Sequence, residues 1–366
     1  MSASLAAFLI RYRRAMNIFL VSEEVTSSPV EGLQVFTMHL CRYLDARHDL
    51  TVIHGNGEPE KQLESIKILP RKIPFSRKLA AFFGEASPDL VIYLPSSGLT
   101  AFGLLRSIVL QRLSGAPVMT LAMQDRKIGS LHGLISRAGF RGLVLSPSGA
   151  LRESLERIGI RTGGIIPGID ERLFRPVSRE RKSELRVKYG LPRENFIVLH
   201  VGHIKESRNI GIFLGYRDWG AGILALVKAG YVDPVWKERL SDAGVAVMDG
   251  YIEDVHELYQ ASDLYLFPVR SSKGALDFPL SVIEAAACGL PVVTTRFGAL
   301  PRLMDESGCF RYFDDRSEIP GLIAEIRDNH AASGAGGEDF SWNAVLGKYL
   351  EPAIGEAVSS FKRKSR

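Results

Sequence analysis

The sequence predicts an α/β protein built from two Rossmann-like, doubly wound domains that face a central cleft, and three observations carry that prediction. A chain of 366 residues exceeds what one core of ordinary size organises, so two domains are expected. Two series of short, nearly continuous apolar runs alternate with stretches of helical period, the pattern of parallel strands covered on both faces. A charged stretch, "FRPVSRERKSELRVKYGLPREN" at 174–195, divides the two series.

Taken in order, "MNIFLVS" (16–22) reads as the first strand and "GLQVFTMHLCRYL" (32–44) as the helix behind it. Strand-like "LTVIHG", "DLVIYLP", "APVMTLA" and "GLVLSPS" follow, separated by helical stretches such as 99–112 and 149–158. The second series opens with "FIVLHVG" (196–202) and continues through "GILALVKAG", "VAVMDGY", "DLYLFPV" and "PVVTTRFG". Asp233-Pro234 ahead of "VWKERL" reads as an N-cap with proline at the first helical position, where its missing N–H costs nothing. The expected divisions are an extension over 1–15, domains over 16–175 and 176–345, and a closing helix with a basic tail over 346–366. In the extension, Leu5, Phe8, Leu9 and Tyr12 share a helical face beside Arg11, Arg13 and Arg14. Two readings stand: an interfacial membrane helix, or a disordered leader before a start at Met16, preferred because the segment is short.

Composition excludes several classes. Apolar content of 46% and charged content of 24% are ordinary for a globular protein. Cys41, Cys288 and Cys309 have no CxxC or metal-ligand spacing, which suits a reducing cytoplasm and argues against a disulfide framework or a zinc site. No apolar run approaches the roughly 18 residues of a membrane span. Residues 1–175 carry 22 Lys and Arg against 15 Asp and Glu, a net +7, whereas 176–366 carry 24 against 26, a net −2. The basic first half fits peripheral contact with anionic lipid at the inner face of a membrane, or an anionic acceptor; a merely solvated basic surface fits equally. Without zinc-finger spacing, an RNA-recognition signature or basic-aromatic interleaving, no nucleic-acid partner is expected.

Ligands of doubly wound sheets bind beyond the carboxyl ends of the strands, so the post-strand loops are where chemistry is sought. "GNGEPE" (55–60) lacks the third glycine of a dinucleotide loop and reads as a turn. "GHIKESRN" (202–209) differs: Gly202 lets backbone approach a ligand, while His203, Lys205 and Arg208 supply cationic donors, a combination suited to a diphosphate or to a plain solvated loop. "DFPLSVIEAAACGLPVV" (277–293) sets one carboxylate, Glu284, in an apolar run. Helical phasing puts Asp277, Ser281, Glu284 and Cys288 on one stripe, with Pro279 opening the helix and Gly289 closing it. Glu284 then either looks outward to solvent or accepts hydrogen bonds from a vicinal diol such as a ribose.

The second half resembles the retaining glycosyltransferases of family 4, which have the GT-B fold. The resemblance rests on "SPSGALRESLERIGI", "IPGIDERLFRP", "VGHIKESRN", "GYIEDVHELYQASDLYLFPV", "DFPLSVIEAAACGLPVVTTRFGALP" and "FSWNAVLGKYLEPAI", in family order from about residue 142 to 354. In the first half it is carried mainly by "EGLQVFTMHLCRYL", where the family commonly has two glycines before the helix and this chain has Glu31 and Gly32. The resemblance implies a nucleotide-sugar donor on the second domain, an acceptor (a lipid-linked or polysaccharide glycan) mostly on the first, retention of anomeric configuration, and a C-terminal helix crossing back. It implies that Glu284 holds the donor ribose. Gly202, His203, Arg208 and Lys205 would meet the diphosphate, Tyr251 and Ile252 the base, and Gly32, Leu280 and Ser281 would line the donor pocket. His203 stands where the family usually has arginine and carries charge only when protonated.

The departures cluster around the donor sugar. Leu276 occupies the position of the family's first motif glutamate, eight residues before Glu284, and Asp277 is one residue late and a methylene short. Pro279 replaces a glycine whose amide would face phosphate, Gln124 of "MQDR" replaces a histidine, and Arg302 replaces an acid. The expected chemistry is electrostatic: Arg208, His203, Lys205 and helix-end amides stabilise the departing diphosphate, with Asp277 and Gln124 beside the sugar, and no metal and no resident cofactor. Two further readings remain: a sugar-nucleotide-binding partner subunit without catalysis, and an epimerase on the same fold. "RKIPFSRKLAAFFG" (71–84) reads as a membrane-touching face or as a helix whose aromatics are core.

Overall fold

Strands with β-branched and large apolar side chains on both faces are stable only when both faces are covered, and the interleaved helices supply that cover. The structure, a computed structural model, describes residues 16–29, 31–70, 72–96, 98–250, 252–271, 275–328 and 339–364. The N-terminal extension and Tyr251 lie outside the described residues. The first domain comprises β1 (Asn17–Glu24), α1 (Gly32–Asp45), β2 (Asp49–Asn56), β3 (Glu64–Lys67), α2 (Arg77–Glu85) and β4 (Leu90–Leu94). It continues through α3 (Ala101–Ser114), β5 (Val118–Leu121), α4 (Ser130–Arg137), β6 (Leu143–Leu145), α5 (Gly149–Glu156) and β7 (Arg161–Gly163). Its parallel sheet runs β3-β2-β1-β4-β5-β6-β7. β4 is wholly buried, as its composition LVIYL demands, while edge strand β3 is ESIK, whose exposed charges discourage further pairing.

The second domain begins with α6 (Arg179–Lys188), then β8 (Phe196–Val201), β9 (Ile223–Ala229), α7 (Pro234–Asp242), β10 (Ala246–Asp249), α8 (Val255–Ala261) and β11 (Leu264–Phe267). α9 (Leu280–Ala287), β12 (Val292–Thr294), α10 (Leu300–Leu303), β13 (Phe310–Tyr312) and α11 (Ile319–Asp328) complete it. The sheet order is β10-β9-β8-β11-β12-β13, again all parallel. Asp233 caps α7 by accepting from the amides of Val235 and Trp236, with Pro234 next, as the sequence predicts. The turn at Gly57 adopts φ +81, and an added Cβ would fall 2.0 Å from the Val25 carbonyl oxygen, so "GNGEPE" is a close turn against β1's end.

The chain crosses between domains twice, and the two crossings pair: Ile169 N–H donates to Phe340 O at 2.8 Å and Trp342 N–H to Ile169 O at 3.3 Å. From there α12 (Trp342–Lys364) runs back over the first domain, packing on α1, β4 and β5. Trp342 stacks on His39 at 4.5 Å and meets Phe36 edge-on at 5.9 Å.

Candidate active site in the cleft

In each sheet the strand order reverses once, at β1/β4 and at β8/β11, and such a reversal opens a crevice beyond the strand ends. In the second domain the residues after β8 are 202–209 and those after β11 lead into α9. Gly202 is required there by contact: an added Cβ would sit 2.9 Å from His200 Nε2. His200 is wholly buried, its Nδ1 lies 3.0 Å from Leu266 O, and burial together with Arg208 pushes it down to about 4, so the ring is neutral. The loop then passes through a short 3-10 turn, Glu206–Arg208, and Asn209 takes a left-handed φ of 55°. Its side-chain amide donates to Pro268 O at 3.1 Å, tying this loop to the end of β11. Burial lowers the Arg208 guanidinium from its ordinary range, opposed by Tyr265 and Glu31; Lys205 is lowered likewise, first by burial and then by Arg208. Two cationic side chains are thus held partly out of water at one strand end.

Glu284 projects from the first turns of α9, a helix otherwise mostly buried on its Val282, Ile283, Ala285 and Ala286 faces. Its Oε2 accepts from Tyr259 Oη at 2.9 Å. Burial pushes the carboxyl up to about 7, with the Tyr259 hydrogen bond pulling the other way. Tyr265 links this carboxylate to the cationic loop: its hydroxyl donates to Val201 O at 3.2 Å, meets the Ser281 side chain, and feels the charges of both Glu284 and Arg208. Arg208, Ser281 and Glu284 therefore surround one phenol at the β8/β11 crevice.

Asp277 corrects one expectation. The helix starts at Leu280 with Pro279 as its N-cap, so Asp277 precedes the helix and does not share the Ser281–Glu284 stripe. Its backbone is committed elsewhere: its N–H donates to Met123 O at 3.0 Å across the cleft, and its carbonyl accepts from Ala299 N–H at 2.9 Å. The side chain is 3% exposed, and Oδ2 has no hydrogen-bond partner among the described residues. Burial, then Asp125, push the carboxyl up to about 7, and Arg302 opposes them. Arg302 itself donates to Pro147 O of the first domain at 2.6 Å. Gln124 follows Met123 and accepts from Arg126 at 3.4 Å, so Gln124 and Asp277 reach the same seam from opposite domains.

The other expected residues fall around this seam. A Cβ on Gly32 would lie 3.3 Å from Leu276 Cδ1 and 3.4 Å from Leu280 Cδ1, so the start of α1 packs directly on the α9 approach. His203 Nε2 is 3.6 Å from Glu31 Oε1, again across the cleft. Ile252 is partly buried against the core, and Cys288 closes the helix in the interior. "FDDR" is a turn: Asp315 accepts from Ser317 N–H at 2.9 Å. Among the described residues, no group of three or more His, Cys, Asp and Glu converges as metal ligands would. Reasoning from sequence missed Tyr259, Tyr265, Asp125 and Glu31, because each meets its partner through the fold. Only Glu31 left a sign, as an acid where the resembling proteins commonly have glycine.

Comparison with known proteins fits this geometry. Residues 196–329 match the family described as Glycosyl transferases group 1. The sulfoquinovosyl transferase SQD2 of Arabidopsis thaliana is 23% identical over 327 residues, covering 81% of this chain and 62% of that protein. The lipopolysaccharide core biosynthesis mannosyltransferase LpsB of Rhizobium meliloti is 28% identical over 240 residues, 60% of this chain and 65% of its own length. The chain thus spans a little under two thirds of these relatives. The Anabaena protein Alr3699/HepE in complex with UDP-glucose superposes with a TM-score of 0.69 at 17% identity, covering 94% of this chain and 99% of that one. The architecture is the GT-B fold.

Proposed function

We propose that this protein is a glycosyltransferase that moves a sugar from a nucleotide-sugar donor to an acceptor with retained anomeric configuration. The observation carrying the proposal is the arrangement at the β8/β11 crevice, where a Gly202–Arg208 cationic loop and the Glu284 carboxylate flank Tyr265. Among the described residues the Glu284 side chain accepts from Tyr259, and a ribose diol would supply further donors to its lone pairs. Gly202, His203, Lys205 and Arg208 would take the diphosphate, aided by the amides opening α9 from Leu280 and Ser281. Tyr251 and Ile252 would frame the base. As the glycosidic bond breaks, negative charge gathers on the diphosphate, and preorganised cations lower that barrier by a few kcal/mol for each well-placed donor. Asp277 and Gln124, on either side of the seam, are the candidates to orient the sugar. The reading includes no metal and no resident cofactor.

A lipid-linked or polysaccharide acceptor on the first domain accords with relatives named for lipopolysaccharide core and sulfoquinovosyl transfer. The first domain also exposes Ile73 (54%), Phe75 (45%), Leu131 (55%) and Leu134 (66%). Exposed Lys72, Arg77, Lys78, Lys127 and Arg137 lie beside them in sequence. Of "RKIPFSRKLAAFFG", Leu79 and Phe83 are core, while Ile73 and Phe75 face water, where a membrane-touching face would need them. Among the described residues no helix is long and apolar enough to cross a membrane, and peripheral contact through this basic, apolar surface fits the reading.

Calorimetric titration of UDP, GDP, ADP and their sugar conjugates tests it. One nucleotide is expected to bind, and Glu284→Ala to weaken it by about 1–3 kcal/mol, as loss of a charged hydrogen bond does. Binding that ignores Glu284→Ala would return Glu284 to the status of a helix-face residue.

A further inference from the structure

The cationic loop is already engaged by an anion belonging to the protein. Glu31 immediately precedes α1 of the first domain, and its Oε1 lies 3.6 Å from His203 Nε2 in the second. The neighbouring His203 side chain holds its carboxyl below the usual range against the opposing effect of burial, with Lys205 and Arg208 adding attraction. The backbone keeps it there. Glu31 N–H donates to Gln34 Oε1 at 3.2 Å, and Gln34 Nε2 in turn donates to Glu24 Oε1 at 3.0 Å, anchoring the start of α1 to the end of β1. The adjoining Gly32 backbone rests on Leu276 and Leu280, which fixes how far α1 stands from the loop.

We propose that Glu31 is a displaceable stand-in for the donor's diphosphate: it bridges the two domains at the phosphate loop in the ligand-free protein and leaves when the diphosphate enters. This rests on the donor-site reading given above. A carboxylate that is 56% exposed, paired with an imidazole 17% exposed, forms a weak contact, so an incoming diphosphate with more charge outcompetes it. The consequence is a built-in threshold. Ligands bearing a diphosphate displace Glu31, whereas the nucleoside part alone gains nothing from displacing it. Specificity for diphosphate over weaker anions is thereby sharpened at some cost in absolute affinity.

The test is calorimetric binding of UDP, GDP and ADP, with the matching nucleosides, to wild type, Glu31→Gln and Glu31→Gly. The glutamine variant keeps size and loses charge, and the glycine variant empties the position. Both are expected to bind the preferred nucleoside diphosphate about fivefold more tightly, in line with removing one exposed ionic contact, while nucleoside affinity stays unchanged. Diphosphate affinity that is unchanged or weaker in both variants overturns the proposal and leaves the donor site standing. Equal tightening of the nucleoside overturns it too, because Glu31 would then act on cleft opening generally. If no nucleoside diphosphate binds wild type or variant, the donor-site reading itself fails and this inference with it.

Discussion

At the residue scale, two buried acids stand out in the cleft. Asp277 and Glu284 are both pushed up to about 7, chiefly by burial, so each is held near its ionisation point in the absence of donor. For Asp277 the unfolded carboxyl ionises near 3.8, whereas the folded one keeps its proton to about 7. Between those values the folded state binds more protons, so stability falls as pH rises and the loss is complete above about 7. Asp277→Asn removes that titration. Its unfolding free energy is expected to exceed that of wild type at pH 8, by on the order of 2–4 kcal/mol, with the gap narrowing toward pH 4. A gap that does not change with pH would mean that Asp277 is not held protonated. At Glu284, hydroxyl donors from a ribose favour the charged form, so donor binding near pH 7 is expected to release protons. Calorimetry in buffers of different ionisation enthalpy measures that release, and Glu284→Gln should reduce it.

The decisive element is the segment between β11 and α9 together with the loop that clasps it. Asp277 lies between Met123 of the first domain and the 298–299 turn of its own. Gly298 has φ +54, and an added Cβ would stand 2.1 Å from Asp277 O. No side chain fits without moving that carbonyl, and the left-handed conformation adds strain. Gly298→Ala is therefore expected to lower stability by about 1–3 kcal/mol and to impair binding of a nucleotide-sugar more than of the bare nucleotide. Thermal melts and paired titrations give both numbers. An unperturbed melt would show that the turn rearranges freely.

For the whole molecule, two paired crossings and one returning helix join the domains, beside the cleft contacts of Asp277, Arg302 and Glu31. Trp342 opens that helix where the crossings meet, and its ring is buried against Phe36 and His39 of the first domain. Trp342→Ala leaves a large cavity there and is expected to cost about 3–5 kcal/mol, with Trp342→Phe recovering part of it. Chemical denaturation checks the loss, and a cost below about 1 kcal/mol would mean that α12 docks without its tryptophan.

Periodicity determined the two parallel sheets apart from their short strands β3, β7 and β13, and residue type determined the Asp233-Pro234 cap, because each follows from local backbone geometry and the burial of apolar runs. The same local logic singled out Gly202, Arg208 and Glu284, one glycine among cations and one acid among apolar residues. It phased Asp277 with the Ser281–Glu284 stripe although Pro279 opens that helix, because helical phasing cannot see that Met123 and Ala299 claim that residue's backbone. Tyr259 under Glu284, Asp125 beside Asp277 and Glu31 beside His203 of the cationic loop are contacts across tens or hundreds of residues of sequence. Side-chain charge and proton affinity depend on what the fold brings within a few ångströms, and that distance exists only once both domains are packed.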